Sequence, residues 1–237
     1  MLYKEFVVDG YERIIHIEHE ESGLDAFIAI HNTKLGPAIG GIRCHNYSST
    51  SAQLDDALRL SEGMTFKNAA AGLNHGGAKT TINSNKIKDR SLAYQILGKQ
   101  IDELAGAYIC AGDVGTTVED LFKVKDATDY VAGISVDSSL PTALGTHTGI
   151  EALHKREGLK IKDQTFTVQG LGKVGKHLVN MLGGKIEAYD PFVNDLPGVT
   201  HIEESELMNS KFYVPCALGG VLNGFSLASL KSEYVCG

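Results

Sequence analysis

Apolar positions along the chain follow a strand period first and a helical period soon after. The run Glu12-Arg13-Ile14-Ile15-His16-Ile17-Glu18-His19 is rich in β-branched residues. The turn Glu21-Ser22-Gly23 separates it from Leu24-Asp25-Ala26-Phe27-Ile28-Ala29-Ile30. Two such runs around a glycine-bearing turn predict a hairpin. A helix should follow Ser51, with Ala57, Leu58 and Met64 on its buried stripe. Another should follow Asp89, where Leu92, Ile96, Leu97, Ile101 and Leu104 recur at helical spacing and Gly106 suits the stop. Tyr108-Ile109-Cys110 then reads as a short strand running into the small-residue loop Ala111-Gly112-Asp113-Val114-Gly115. Thr116 and Glu119 have the spacing of a capping box for one more helix. The segment Gly133 to Pro141 is small and polar and ends in proline, which predicts a hinge, with a helix from about Leu144 to Arg156 beyond it.

Past the hinge the alternation carries chemistry. The strand-like Thr165-Phe166-Thr167-Val168-Gln169 runs into Gly170-Leu171-Gly172-Lys173-Val174-Gly175, followed by the helical Lys176 to Leu182. A second strand, Lys185 to Tyr189, ends at Asp190. A glycine fingerprint between strand and helix, with an acid about twenty residues on, is the arrangement that binds a dinucleotide. Gly170 permits the tight turn, Gly172 lets backbone N–H groups reach a pyrophosphate, and Gly175 lets the helix pack close to the strand. Asp190 would accept from the adenine ribose hydroxyls, which favours NAD over NADP. The alternative is a glycine-rich strand-to-helix turn without a ligand. A third strand is expected at Phe212 to Ala217, ending in Leu218-Gly219-Gly220, and a last one starts at Tyr234.

Composition narrows the class. The net charge of -7 argues against nucleic acid as the main partner. The apolar stretches are far short of a membrane span, and Met1 to Glu5 lacks the apolar core of a signal peptide. Cys44, Cys110, Cys216 and Cys236 are scattered without a C-x-x-C pair, so a reduced, cytoplasmic setting is expected. His16, Glu18 and His19 are of metal-binding type, but in a strand His16 and His19 point to opposite faces, and no metal site is expected.

The run from Gly63 to Thr80 holds two lysines, Lys67 and Lys79, and almost no other charge. Small neighbours let a ligand approach, and a lysine with few nearby acids must find water or a ligand. Two ammonium groups in one pocket would push at least one pKa down, which suits a base. Alternatively both lysines reach solvent from a helix end. Asp113 is either a turn former or a proton partner to these lysines.

Taken together these residues resemble the Glu/Leu/Phe/Val dehydrogenase family, most closely its leucine and phenylalanine dehydrogenase branch, from about Lys34 to Gly237. The carriers are Gly36-Pro37-Ala38-Ile39-Gly40-Gly41-Ile42-Arg43, the two-lysine run, Asp113-Val114-Gly115-Thr116-Thr117, the glycine fingerprint, and Pro215-Cys216-Ala217-Leu218-Gly219. The resemblance implies an α/β fold: an N-terminal substrate domain over 1–135, then a shortened Rossmann-type NAD-binding domain over 136–237. It implies oxidative deamination of an L-amino acid, aliphatic or aromatic rather than glutamate, by a homo-oligomer. By matching position, Lys67 would grip the substrate carboxylate, Lys79 would activate water at the imine carbon, and Asp113 would exchange protons with the amine. Gly40 and Gly41 would lie against the substrate, Ile39 and Ala111 would line its side-chain pocket, and Thr142 would lie near the nicotinamide amide. His75 stands where relatives carry an apolar residue, and either lines the pocket or hydrogen-bonds locally.

The family pattern continues beyond the position of Gly237 with an Ala-Asn-Asn segment and bracing helices. The sequence therefore also fits a natural short form, a fragment or the product of a truncated reading frame. A non-catalytic dinucleotide-binding or partner-dependent protein is the alternative to an enzyme.

Overall fold

The computed structural model describes residues 1–134 and 137–237. Ser135 and Val136, which carry the expected boundary inside the hinge, lie outside the described residues. The chain divides into two compact units, Met1–Val136 and Asp137–Gly237.

The first unit is built on a six-stranded mixed sheet. Its strands are β1 (Leu2–Phe6), β2 (Arg13–His19), β3 (Leu24–Asn32), β4 (Ala38–His45), β5 (Gly76–Asn83) and β6 (Tyr108–Gly112), in the order β1-β2-β3-β5-β4-β6. The predicted hairpin is β2 and β3, antiparallel, with His19 opposite Leu24. β4 pairs in parallel with both β5 and β6. Because side chains alternate across a strand, each sheet face takes every second residue. One face buries Ala38, Ile42, Ala78, Ile82, Tyr108 and Cys110 in the main core, together with Ala93, Leu97 and Ile101 of α2 (Arg90–Asp102) and Leu121 and Val124 of α3 (Val118–Lys125). The other face receives α1 (Thr50–Ala70) against β3 and β5.

Two local expectations shift. The fully buried positions of α1 are Gln53, Ala57, Ser61 and Asn68, while Leu58 and Met64 are only half-buried. This stripe is polar because the strand backbone beneath it offers partners: Gln53 donates to the carbonyls of Asp25 and Thr81, at 3.0 and 3.1 Å. The capping box of α3 is Thr117 with Asp120, one residue later than expected. Thr116 is committed elsewhere, its hydroxyl donating to the Ile42 carbonyl at 2.6 Å.

In the second unit the strands β7 (Thr165–Gln169), β8 (Lys185–Tyr189), β9 (Thr200–His201), β10 (Phe212–Pro215) and β11 (Tyr234–Val235) form an all-parallel sheet in the order β11-β10-β7-β8-β9. The order reverses between β7 and β10, the arrangement of a doubly wound dinucleotide fold. Phe166, Val168, Ile186, Phe212 and Val214 fill its core with Ala143 and Ile150 of α4 (Ser139–Glu157) and Leu178 and Val179 of α5 (Lys173–Met181). A four-residue α6 (Ser226–Ser229) precedes β11. α4 begins at Ser139, not near Leu144, since Pro141 sits in the first turn, where its missing N–H costs nothing. α5 begins at Lys173, inside the fingerprint and before the expected Lys176.

Candidate active site

On the α1 face of the first sheet, β4 presents Ile39, Gly41 and Arg43, and β5 presents Gly77, Lys79 and Thr81. Ile109 and Ala111 of β6, with Asp113 just beyond, complete the row. The registers place Ile39 beside Gly77 and Ile109, Arg43 beside Thr81, and Gly41 beside Ala111. Lys79 and Asp113, 34 residues apart in the chain, meet here: Lys79 Nζ lies 2.7 Å from Asp113 Oδ2. The Lys79 side chain is 6% exposed and that of Asp113 is 22% exposed, so the pair is largely out of water with the carboxylate on the open side. Burial pulls the Lys79 pKa below its ordinary 10.5, against the opposing charge of Asp113. Burial alone would raise Asp113, but the charges of Lys79 and Arg43 outweigh it and hold the carboxyl below its usual 3.8.

Gly41 makes room for this pair. A Cβ at that position would stand 2.7 Å from Asp113 Cβ and 3.2 Å from Lys79 Nζ. Gly40 has a different reason: a Cβ there would meet the Ala78 carbonyl oxygen at 1.6 Å. Its own carbonyl accepts from the buried Tyr108 hydroxyl at 3.1 Å. Ile39 and Ala111 are half-buried on the same face as Gly41.

Lys67 lies in the last turn of α1, is exposed, and enters no ion pair among the described residues. Residues 56, 60, 63 and 67 share one side of a helix at 3.6 residues per turn. Asp56 on that side meets Arg43 of β4 at 3.2 Å, so Lys67 stands on the side of α1 turned towards β4. The geometry brings Lys79, Asp113 and Gly41 together, while Lys67 is exposed at the end of α1. His75 takes its local role, with Nδ1 3.0 Å from the Pro37 carbonyl.

Arg43 is the residue that the sequence pattern did not single out. Its Nε is 2.9 Å from Asp113 Oδ2, the same oxygen that Lys79 meets, and its Nη1 reaches Asp56 Oδ2. The Tyr47 hydroxyl donates to Asp56 Oδ2 at 2.9 Å. Its signal in the chain was its place at the end of the Gly36–Arg43 block, where no role attached to it.

His16 and His19 do not converge. Among the described residues, the ligand-type atoms that come together, within 4.8 Å, belong to His16, Glu18 and Asp25. Asp25 there is already paired with His16 at 2.7 Å and with Lys86 at 2.6 Å.

In the second unit the fingerprint sits between the end of β7 and the start of α5. Gly170 has φ of +92°, and a Cβ there would stand 2.9 Å from the Ala217 nitrogen beyond β10. At Gly175 a Cβ would lie 2.0 Å from the Gly170 carbonyl oxygen, so only glycine allows helix and loop to touch. Gly172, at the N-cap of α5, has open space where its side chain would be and no side-chain cap on the helix. A helix start with no side-chain cap and a glycine that leaves space beside it fits a pyrophosphate. Lys173 and Val174 form the first turn of α5, and Leu171 is fully buried with its N–H donating to Asp190 Oδ2 at 2.7 Å. Asp190 Oδ1 accepts from the backbone N–H groups of Phe192 and Val193, which fixes the carboxylate at the tip of β8. Thr142 is exposed in the first turn of α4, its hydroxyl donating to the Ser138 carbonyl.

A sequence model of the Glu/Leu/Phe/Val dehydrogenase dimerisation domain matches residues 11–130. The chain is 42% identical to a leucine dehydrogenase of Bacillus cereus over 96% of its own length and 68% of that protein. It is 34% identical to a phenylalanine dehydrogenase of Lysinibacillus sphaericus, over 97% and 67%. Among solved structures it resembles an L-tryptophan dehydrogenase of Nostoc punctiforme, with a TM-score of 0.70 and 33% identity over 96% of this chain and 70% of that one. A hetero-hexameric glutamate dehydrogenase of Thermus thermophilus shares the fold, with a TM-score of 0.73 at 22% identity. The chain belongs to the Glu/Leu/Phe/Val dehydrogenase family, the oxidoreductases that act on amino acids with a nicotinamide dinucleotide. Among the described residues no helix is long and apolar enough to cross a membrane.

Proposed function

We propose that this chain catalyses the oxidative deamination of a hydrophobic L-amino acid: the amino acid, NAD and water give the 2-oxo acid, ammonium, NADH and a proton. The observation that carries this reading is the Lys79–Asp113 pair, buried against a strand position without a side chain, in a member of an amino acid dehydrogenase family. The glycine fingerprint and Asp190 would hold NAD, which supplies the hydride acceptor. The carboxylate at the tip of β8 favours an unphosphorylated ribose. A lysine whose proton is weakly held can take one from water as it adds to an imine carbon. Asp113, kept ionised, is the acceptor for protons of the substrate amine. Lys67, an exposed cation at the end of α1, would grip the substrate carboxylate. Ile39 and Ala111 offer apolar surface to the substrate side chain. Gly40 would keep the strand backbone close to the substrate, and Thr142 would lie near the nicotinamide amide. The match to a dimerisation domain supports a homo-oligomer, and the scattered cysteines support a cytoplasmic setting.

The test is a scan of L-amino acids with NAD and with NADP, following absorbance of the reduced nucleotide. Leucine, valine or phenylalanine should be oxidised with NAD, and Lys79→Ala should lose about 10²- to 10⁴-fold in turnover while still binding NAD. A folded protein that binds NAD and oxidises none of the panel would overturn the proposal.

A further inference from the structure

Arg43 is not needed to neutralise Asp113, since Lys79 already sits on that carboxylate. Both cations nevertheless bind the same oxygen, Oδ2, at 2.9 and 2.7 Å. Two cationic nitrogens on one oxygen lie within about 6 Å of each other and repel. Arg43 cannot relieve the repulsion by losing its proton, because a guanidinium stays charged under all ordinary conditions. It cannot swing away either. Its side chain is 13% exposed, and its Nη1 is tied to Asp56, which is itself fixed by the Tyr47 hydroxyl and by Arg59 at 2.6 Å.

We propose that Arg43, braced by Asp56 and Tyr47, is a positioning residue: it anchors Asp113 through Oδ2 and so releases Lys79 from having to stay protonated as that carboxylate's partner. This assignment rests on the reading of Lys79 as the base. It deepens that reading by naming what keeps the base available.

The ionisable groups acting on Lys79 come from three elements: Asp113 beyond β6, Arg43 on β4 and Asp56 on α1. They have opposed signs. Asp113 and Asp56 favour the ammonium, whereas burial and Arg43 disfavour it. Without Arg43 only burial still opposes the ammonium, and the two carboxylates weigh more against it. Asp113 would then hold Lys79 as a fixed ion pair, and a lysine so held is a poor base at the pH where the wild type works.

The experiment is competitive acetylation of the full-length protein by acetic anhydride across pH, with Lys79 followed by peptide mass spectrometry, alongside the pH dependence of kcat/KM for the best amino acid. Arg43→Gln should raise the pH midpoint of Lys79 acetylation by about one unit and carry the rise of kcat/KM upward with it. Arg43→Lys, which keeps a charge at that place, should stay close to the wild-type midpoint and retain most of the activity. NAD affinity should be the same in all three proteins, and circular dichroism should show all three folded. A midpoint unmoved or lowered in Arg43→Gln, or Arg43→Lys behaving like Arg43→Gln, would overturn the assignment. Because acetylation reads Lys79 without turnover, failure of this assignment and failure of amino acid oxidation are separate results.

Discussion

Three neighbours at 34 or more residues' remove surround Lys79, the base candidate: Asp113, Arg43 and the bare backbone of Gly41. Gly41 is the least conspicuous of them. Its Cα faces the pair so closely that any Cβ must push Asp113 aside. A displacement of the reacting groups by a fraction of an ångström to an ångström is costly, because positioning supplies much of the rate. Gly41→Ala should lower kcat/KM about 10²-fold while leaving NAD affinity unchanged, as steady-state kinetics and NAD titration would measure. Unchanged kcat/KM would mean that the space in front of Gly41 is not where the substrate reacts. Lys67 contrasts with Lys79. The same run of small residues contains both, yet one is exposed at a helix end and the other is buried on a strand. The local sequence left both fates open for each of them.

Among the elements, α1 departs most from its pattern. Its buried stripe runs through Gln53, Ser61 and Asn68 as well as Ala57, so apolar periodicity alone marks the helix but not its buried edge. The polar positions are tied down. Asn68 donates to the Gly76 carbonyl at 2.6 Å, and Gln53 holds β3 and β5 together. Ser61 and Thr65 lie against Gly77, where a Cβ would meet the Thr65 nitrogen at 2.1 Å. The helix therefore sits low on the strand that carries Lys79, and it carries Asp56 to Arg43 from the same position. Gln53→Ala removes two buried hydrogen bonds without touching the site, and should destabilise by about 1–3 kcal/mol. Calorimetry should show a melting temperature lower by several degrees, with KM for the amino acid little altered; an unchanged melting temperature would count against this account of α1. The cap of α3 and the start of α4 moved by one to five residues for related reasons: Thr116 has a better partner in Ile42, and Pro141 is at home in a first turn.

For the whole molecule, charge and topology together set how activity responds to pH. The folded Lys79 pKa lies below 10.5, so its neutral form accumulates as pH rises and is more than half populated before 10.5 is reached. Asp113 has its folded pKa below 3.8, so it stays ionised throughout that range. The logarithm of kcat/KM should therefore climb with pH to a midpoint below 10.5, with Asp113 adding no midpoint above pH 3.8. A profile flat from pH 7 to 10.5 would remove Lys79 from the base role. The same shifts act on stability with opposite windows. Asp113 contributes stability that is present above pH 3.8 and lost as pH falls through its lower folded value. For Lys79 the unfolded chain binds the proton more tightly, so stability rises with pH between the lowered value and 10.5.

The sequence by itself determined the α/β class, the alternation of strands and helices, the fingerprint of Gly170, Gly172 and Gly175, and the presence of Lys67, Lys79 and Asp113. Each of these is written locally, as a period of two or of 3.6 or as a glycine that the backbone requires. The tertiary structure decided which residues share a face, because β4 inserts between β5 and β6, against chain order. That insertion brings Arg43 to Asp113 across 70 residues and sets Gly41 beneath Lys79. It also turned Asp113 from a possible turn former into the partner of two cations. No periodicity could supply this, since the charge balance of a buried group depends on which neighbours the sheet order puts within a few ångströms, and not on the residues beside it in the chain.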